Sequence, residues 1–167
     1  MSTATTIRAQ DIFVYSMKST RWLIDSMCKD LTPTEMLHRP CSEANCTAWI
    51  LGHLITIDHR MLSSLIPSDT PPLPDGFKER FSQKGDAPRA SDFGDVSALL
   101  PQFLAMRDRL IAATENLDPS TLADPVPNPN ARFSNRWQFL SLAGFHTGLH
   151  AGHISTIRRT LGKPALF

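Results

Sequence analysis

The chain has 167 residues, 41% of them hydrophobic and 20% charged, and 17 Lys+Arg against 16 Asp+Glu leave a formal charge of +1. At 18.6 kDa and a mean hydropathy of −0.17, it reads as a single domain over 1–167 that can build a core without disulfide or metal staples. No basic stripe suited to a run of phosphates is present, which sets nucleic acid aside, and no apolar run approaches the roughly 20 residues of a membrane span.

Thirteen prolines divide the chain. They concentrate in the stretch from Pro67 to Pro88 and in DPSTLADPVPNPN from Asp118 to Asn130. Neither stretch is expected to form a regular helix, because proline lacks the N–H and clashes with the preceding turn. Between them the period is helical. The first segment, about Ile7 to Lys29, carries Ile12, Tyr15, Met17, Trp22, Leu23 and Met27 largely on a 3.6-residue repeat. In the connection LTPTEMLHRP, Thr32-Pro33 with Glu35 has the form of an N-cap and first turn, and Pro40 closes it.

The second segment, about Cys46 to Ile66, places Trp49, Ile50, His53, Leu54, Ile57, Met61 and Leu65 at three- and four-residue steps and stops at Pro67. The third, about Asp95 to Leu117, contains Val96, Leu99, Leu100, Phe103, Leu104, Leu110 and Ile111. Pro101 inside it predicts either a late start or a kink. The fourth, about Asn135 to Leu161, holds Trp137, Phe139, Leu140, Phe145, Leu149, Ile154 and Ile157, with Gly162 as its C′ residue. No alternating β-branched run is present. Four amphipathic helices joined by long connections predict an all-α four-helix bundle with crossovers.

The six histidines are at 38, 53, 59, 146, 150 and 153, and three of them fall within HTGLHAGH. At about 100° per residue, His150 lies about 40° and His153 about 20° from His146, so all three share one helical face. Gly144, Gly148 and Gly152 lie on the same helix, each costing up to roughly 1 kcal/mol against Ala, so a close helix approach or a cavity must compensate.

A His-x-x-x-His pair suits one ion at about 2.1 Å from each nitrogen. Alone, such a pair is more often two hydrogen-bonded core histidines, and a third imidazole from another helix reverses that preference. His53, in the core-facing sector of the second segment, is the candidate third. His59 lies about 240° round from it and reads as surface, and His38 is given no role.

Other constellations are weaker. Thr147 follows His146, so the zincin pattern and its glutamate base are absent. Cys41 and Cys46 have no second pair for a structural zinc site, and no phosphate loop or Gly-x-Ser-x-Gly elbow occurs. Arg158-Arg159 reads as a favourable charge at a helix C-terminus. The polar Met1 to Gln10 lacks a signal peptide's apolar stretch, and Cys28, Cys41 and Cys46 in no framework spacing suit reduced thiols, so a cytoplasmic location is expected.

WILGHLITIDHRM and FHTGLHAGHISTIRRTLGKP, with LTPTEMLHRP and the Asn-Cys-Thr-Ala-Trp approach, resemble the DinB/YfiT-like superfamily over nearly the full chain. The resemblance implies a DinB-like four-helix bundle with long crossover connections. It also implies a divalent transition metal, nickel or zinc, held by His53, His146 and His150. One departure stands out: many relatives carry Gln where this chain has His153, which is expected to orient a ligand or cap the cavity without ligating. The implied function is a metal-dependent enzyme of thiol S-transferase or hydrolase type, acting on a small-molecule substrate such as a low-molecular-weight thiol.

The alternatives are a non-catalytic metal-binding or stress-related interaction module, and a purely structural bundle. Asp58 and Glu43 are the acidic residues nearest His53 in sequence, and neither is positioned as a base. Trp49 and Trp137, with many Leu and Met, exceed what one narrow apolar stripe requires, so a homodimer is expected.

Overall fold

The computed structural model describes residues 7–82, 90–127, 133–164 and 166. Among these the chain forms α1 (Ala9–Cys28), α2 (Pro33–Met36), α3 (Thr47–Leu65), α4 (Phe77–Ser82), α5 (Leu99–Glu115) and α6 (Arg136–Thr160), with 3₁₀ turns in the connections that follow α3. One isolated antiparallel bridge, between Pro125 and Asn135, is the only strand-like pairing among the described residues.

Local chemistry sets the helix ends. The Thr32 hydroxyl accepts from the Glu35 N–H while the Glu35 carboxylate accepts from the Thr32 N–H, a reciprocal cap behind Pro33. Pro101 gives a late start and not a kink. A 3₁₀ turn over Val96–Ala98 precedes α5, which places the proline in the first helical turn, where an N–H has no intrahelical partner. At the end of α6, Gly162 adopts φ +72°; its N–H bonds the Arg159 carbonyl and the Lys163 N–H bonds Arg158, which closes a Schellman motif.

Cross-helix contacts give the directions. Gln10 reaches the Leu117 carbonyl, Lys18 pairs with Glu115 and Arg21 with Asp108, so α1 and α5 are antiparallel. Arg158 donates to the Met27 carbonyl and to Asp30, and Gly144 lies against Ser16, so α1 and α6 run in parallel. Trp49 and His53 face His150 and His146, so α3 opposes α6. The buried apolar residues form two clusters. One holds Ile24, Trp49, Ile50, Leu54, Phe81, Phe103 and Ile154, and the other Met17, Met61, Leu62, Leu110, Phe139 and Leu140.

Fully buried polar groups span the helices beside these clusters. Arg107 grips Asp58 with Nε at 2.6 Å and Nη2 at 2.9 Å, and also donates to the Thr20 and Thr147 hydroxyls and the Ala143 carbonyl. Burial pushes the Asp58 carboxyl up, and the guanidinium opposes that shift.

Several expectations are corrected. The first proline-rich stretch does contain a helix, because α4 fits between Pro74 and Pro88 and folds Phe77 and Phe81 back onto α3. That return also covers His59, which is buried and not on the surface. On α1 the buried stripe is Val14, Met17, Ile24 and Met27, whereas Ile12, Tyr15 and Trp22 face outward: the helix has two apolar stripes, and periodicity alone does not rank them. Arg158 is a buried tether between helix ends, beyond any dipole effect. Asn128 to Asn130, at the end of the second proline-rich stretch, lie outside the described residues.

Candidate metal centre

His53, from the second turn of α3, meets His146 and His150 from the middle of α6. The ligand atoms of the three lie within 4.8 Å of one another. The Nε2 atoms of His53 and His146 are 3.4 Å apart, and those of His146 and His150 are 3.1 Å apart. Two nitrogens bound at about 2.1 Å to one ion would stand about 3.4 Å apart in a tetrahedron and about 3.0 Å apart in an octahedron, so both separations fit a shared ion.

Proton arithmetic points the same way. The Nδ1 of His53 lies 2.9 Å from the Phe81 carbonyl. That oxygen only accepts, so the proton of His53 sits on Nδ1 and its Nε2 presents a lone pair. The Nε2 of His146 touches two other Nε2 atoms and holds either one proton or one lone pair, so at most one of its two contacts is a linear hydrogen bond. The Nδ1 atoms of His146 and His150 have no partner. A cation accepting three lone pairs removes the conflict, and the three-histidine group can hold a metal ion.

The surroundings keep these rings neutral. Burial is the main cause in each case. It lowers His53 against the opposing Phe81 carbonyl. It takes His146 down to about 4, helped by His53 and Arg107. It takes His150 to about 3, helped by His146, His53 and His153. At neutral pH all three rings are therefore neutral, each with one ring nitrogen free to ligate.

Trp49 stacks on His53, with ring centroids 4.8 Å apart and planes at 9°, and forms one wall. It is a buried wall of the cluster and not part of an outer association surface, contrary to its sequence reading. His153 is exposed, 5.4 Å from His150 between ring centroids, and lies outside the group of three. His38 bonds the Thr160 hydroxyl far along α6. Asp58 is locked to Arg107 and gives no free base.

Two glycine contacts bear on the position of the cluster. A Cβ at Gly144 would strike Ser16, so this glycine permits close packing of α1 on α6, while Gly148 and Gly152 face open space. A Cβ at Gly52 would strike the Phe81 ring, so this glycine lets α4 press against α3 and bring its carbonyl to His53.

Sequence reasoning missed Phe81 and the Arg107–Asp58 pair. The signals available were three phenylalanines, at 77, 81 and 93, in a proline-rich connection, and charged residues in the apolar sectors of α3 and α5.

An all-α bundle with this cluster between its third and last helices defines the class. A family model described as the DinB superfamily matches residues 17–154, and the chain belongs to that superfamily. A solved structure described as the conserved protein of locus from Enterococcus faecalis is similar in fold, with a TM-score of 0.72 at 16% identity. The match covers 95% of this chain and 100% of that one. No curated protein matches the chain.

Proposed function

We propose that the protein is a metal-dependent enzyme in which His53, His146 and His150 hold one divalent transition ion, nickel or zinc, and which acts on a small molecule as a thiol S-transferase or hydrolase. The observation that carries this reading is the convergence of three neutral imidazoles with no carboxylate or thiolate in the ligand group. Neutral ligands leave the ion's charge uncompensated and at least one coordination position open, a composition suited to catalysis. When bound, the ion would supply Lewis acidity to a thiol or water in that position.

The chain's own residues prepare the site. The Phe81 carbonyl orients His53, the spacing on α6 presents His146 and His150 together, Trp49 shields one side, and His153 stands at the rim as an orienting or capping group. Elemental analysis tests the ligand set. Native protein is expected to carry about one ion per chain and His53→Ala far less; undiminished metal in the variant overturns it.

A metal-binding interaction module is the second reading, favoured by Asp58 being tied to Arg107 rather than free as a base. Turnover of thiol plus electrophile by the loaded protein, abolished by a chelator, decides between the two. Three unbridged cysteines suit a reducing cytoplasm.

We also propose a two-fold homodimer through the outer faces of α1 and α6. Tyr15 and Trp22, 74% and 57% exposed, and Phe145 and Leu149, 73% and 52% exposed, fall by helical position on the same side of the Ser16–Gly144 contact and supply the apolar surface for the dimer. Light scattering is expected to give twice the 18.6 kDa chain mass, falling to the monomer in Trp22→Glu. A wild-type monomer at micromolar concentration excludes it.

A further inference from the structure

We propose that the groove between α3 and α6, below the histidine cluster, is an anion-binding subsite. It would select a small-molecule substrate that carries a carboxylate or phosphate about 10 Å from its metal-bound atom. The inference rests on the metal reading above.

Arg60 follows His53 by seven residues on α3, and Phe139 precedes His146 by seven on α6. Seven residues advance a helix by about 10 Å and return to within about 20° of the same face. Because α3 and α6 are antiparallel, both steps descend the groove in one direction, and they meet: the Arg60 guanidinium stands 5.4 Å from the Phe139 ring centroid and 5.8 Å from that of Phe133.

A half-open cavity of about 420 Å³ opens there, lined among others by Ile57, His59, Arg60, Lys78 and Phe139. Its described lining holds two cations and no carboxylate. Among the described residues no acidic group forms an ion pair with Arg60, whose guanidinium lies over the Phe133 and Phe139 rings. His59 is buried in that wall, where the Pro71 carbonyl accepts from its ring. By helical position Ile57 on α3, itself in the cavity lining, and Leu142 on α6 fall between Arg60 and the histidines, and both are partly buried, giving an apolar stretch to span. A polar head at the metal, an apolar middle and an anionic end is the ligand this order of residues fits.

Two probes test the subsite. Inorganic phosphate titrated into metal-free protein, followed by amide shifts, is expected to give saturable changes around Arg60 and Ser64, weakened roughly tenfold in Arg60→Gln and partly restored in Arg60→Lys. Arg60 is exposed, so the variants keep the fold.

Cobalt-loaded protein is then compared with mercapto-octanoate and mercapto-octanol, whose thiolate binding is read by the sulfur-to-cobalt absorption band. The carboxylate is expected to bind about tenfold tighter than the alcohol. Arg60→Gln should erase that difference without changing cobalt content or the binding of mercaptoethanol. The two probes separate a phosphate from a carboxylate preference. Equal affinity of the two long thiols together with no saturable phosphate shift overturns the subsite. Failure to take up cobalt overturns the metal reading instead, and the phosphate titration then judges the groove by itself.

Discussion

Adding one methyl group at Gly52 is expected to weaken metal binding without touching a ligand. The new Cβ of Gly52→Ala would sit closer than 3.0 Å to Cγ, Cδ1 and Cε1 of Phe81, where ordinary contact is 3.4–4 Å. The Phe81 side chain is fully buried and cannot swing away, so α4 must retreat by roughly 1 Å. The Phe81 carbonyl moves with it, and its 2.9 Å bond to Nδ1 of His53 stretches beyond hydrogen-bonding range.

Overpacking of this kind costs about 1–3 kcal/mol, offset in part by up to about 1 kcal/mol from the better helix propensity of alanine. Loss of the group that orients a ligand lowers metal affinity about 10–100-fold. Urea unfolding followed by circular dichroism measures the first quantity, and competition with a chromophoric chelator the second. Gly152→Ala is the matched control: nothing lies within 4 Å of its Cβ, so it should gain about 0.5–1 kcal/mol and leave metal affinity unchanged. A destabilised Gly52→Ala with wild-type metal affinity would refute the orienting role of Phe81.

Arg107→Met strands Asp58 as a buried unpaired carboxylate and is expected to cost about 3–5 kcal/mol in urea unfolding. The double variant with Asp58→Leu should cost clearly less, since the Thr20 and Thr147 hydroxyls keep their helix carbonyl acceptors; additive losses would contradict this. Burial pushes the Cys28 thiol up to about 12, so a thiol alkylator near neutral pH should label exposed Cys41 and spare Cys28. If the metal activates the nucleophile, Cys28→Ser, Cys41→Ser and Cys46→Ser together should retain turnover; loss of turnover with fold and metal intact would move the chemistry to a protein thiol. Arg158 holds the Asp30 carboxyl below the usual carboxylate range. Its contribution to stability is therefore full above about pH 4 and is lost as pH falls through the lowered value. Asp30→Asn should flatten that acid limb, as read from unfolding midpoints across pH, and an unchanged slope would show that the pair contributes nothing.

Local signals were enough for the four long helices and for several of their ends. The 3.6-residue period, the Thr32 cap ahead of Pro33 and the left-handed Gly162 each act within a few residues, and tertiary contact does not reverse them. The alignment of His146 with His150 is equally local, a consequence of helical pitch. What joined His53 to them was the antiparallel packing of α3 on α6, which the family resemblance implied and periodicity could not. The remainder depended on which surface the long crossover covers. Its return buries His59 and brings the Phe81 carbonyl to His53, while the packing of α1 on α6 and α5 leaves Tyr15 and Trp22 outside. The crossover's return is set by the space that Gly52 leaves for an aromatic ring, and the exposure of Tyr15 and Trp22 by the second apolar stripe on α1. The buried Arg107–Asp58 pair has the same origin: a charge placed among apolar residues declares its partner only when two helices distant in sequence are packed side by side.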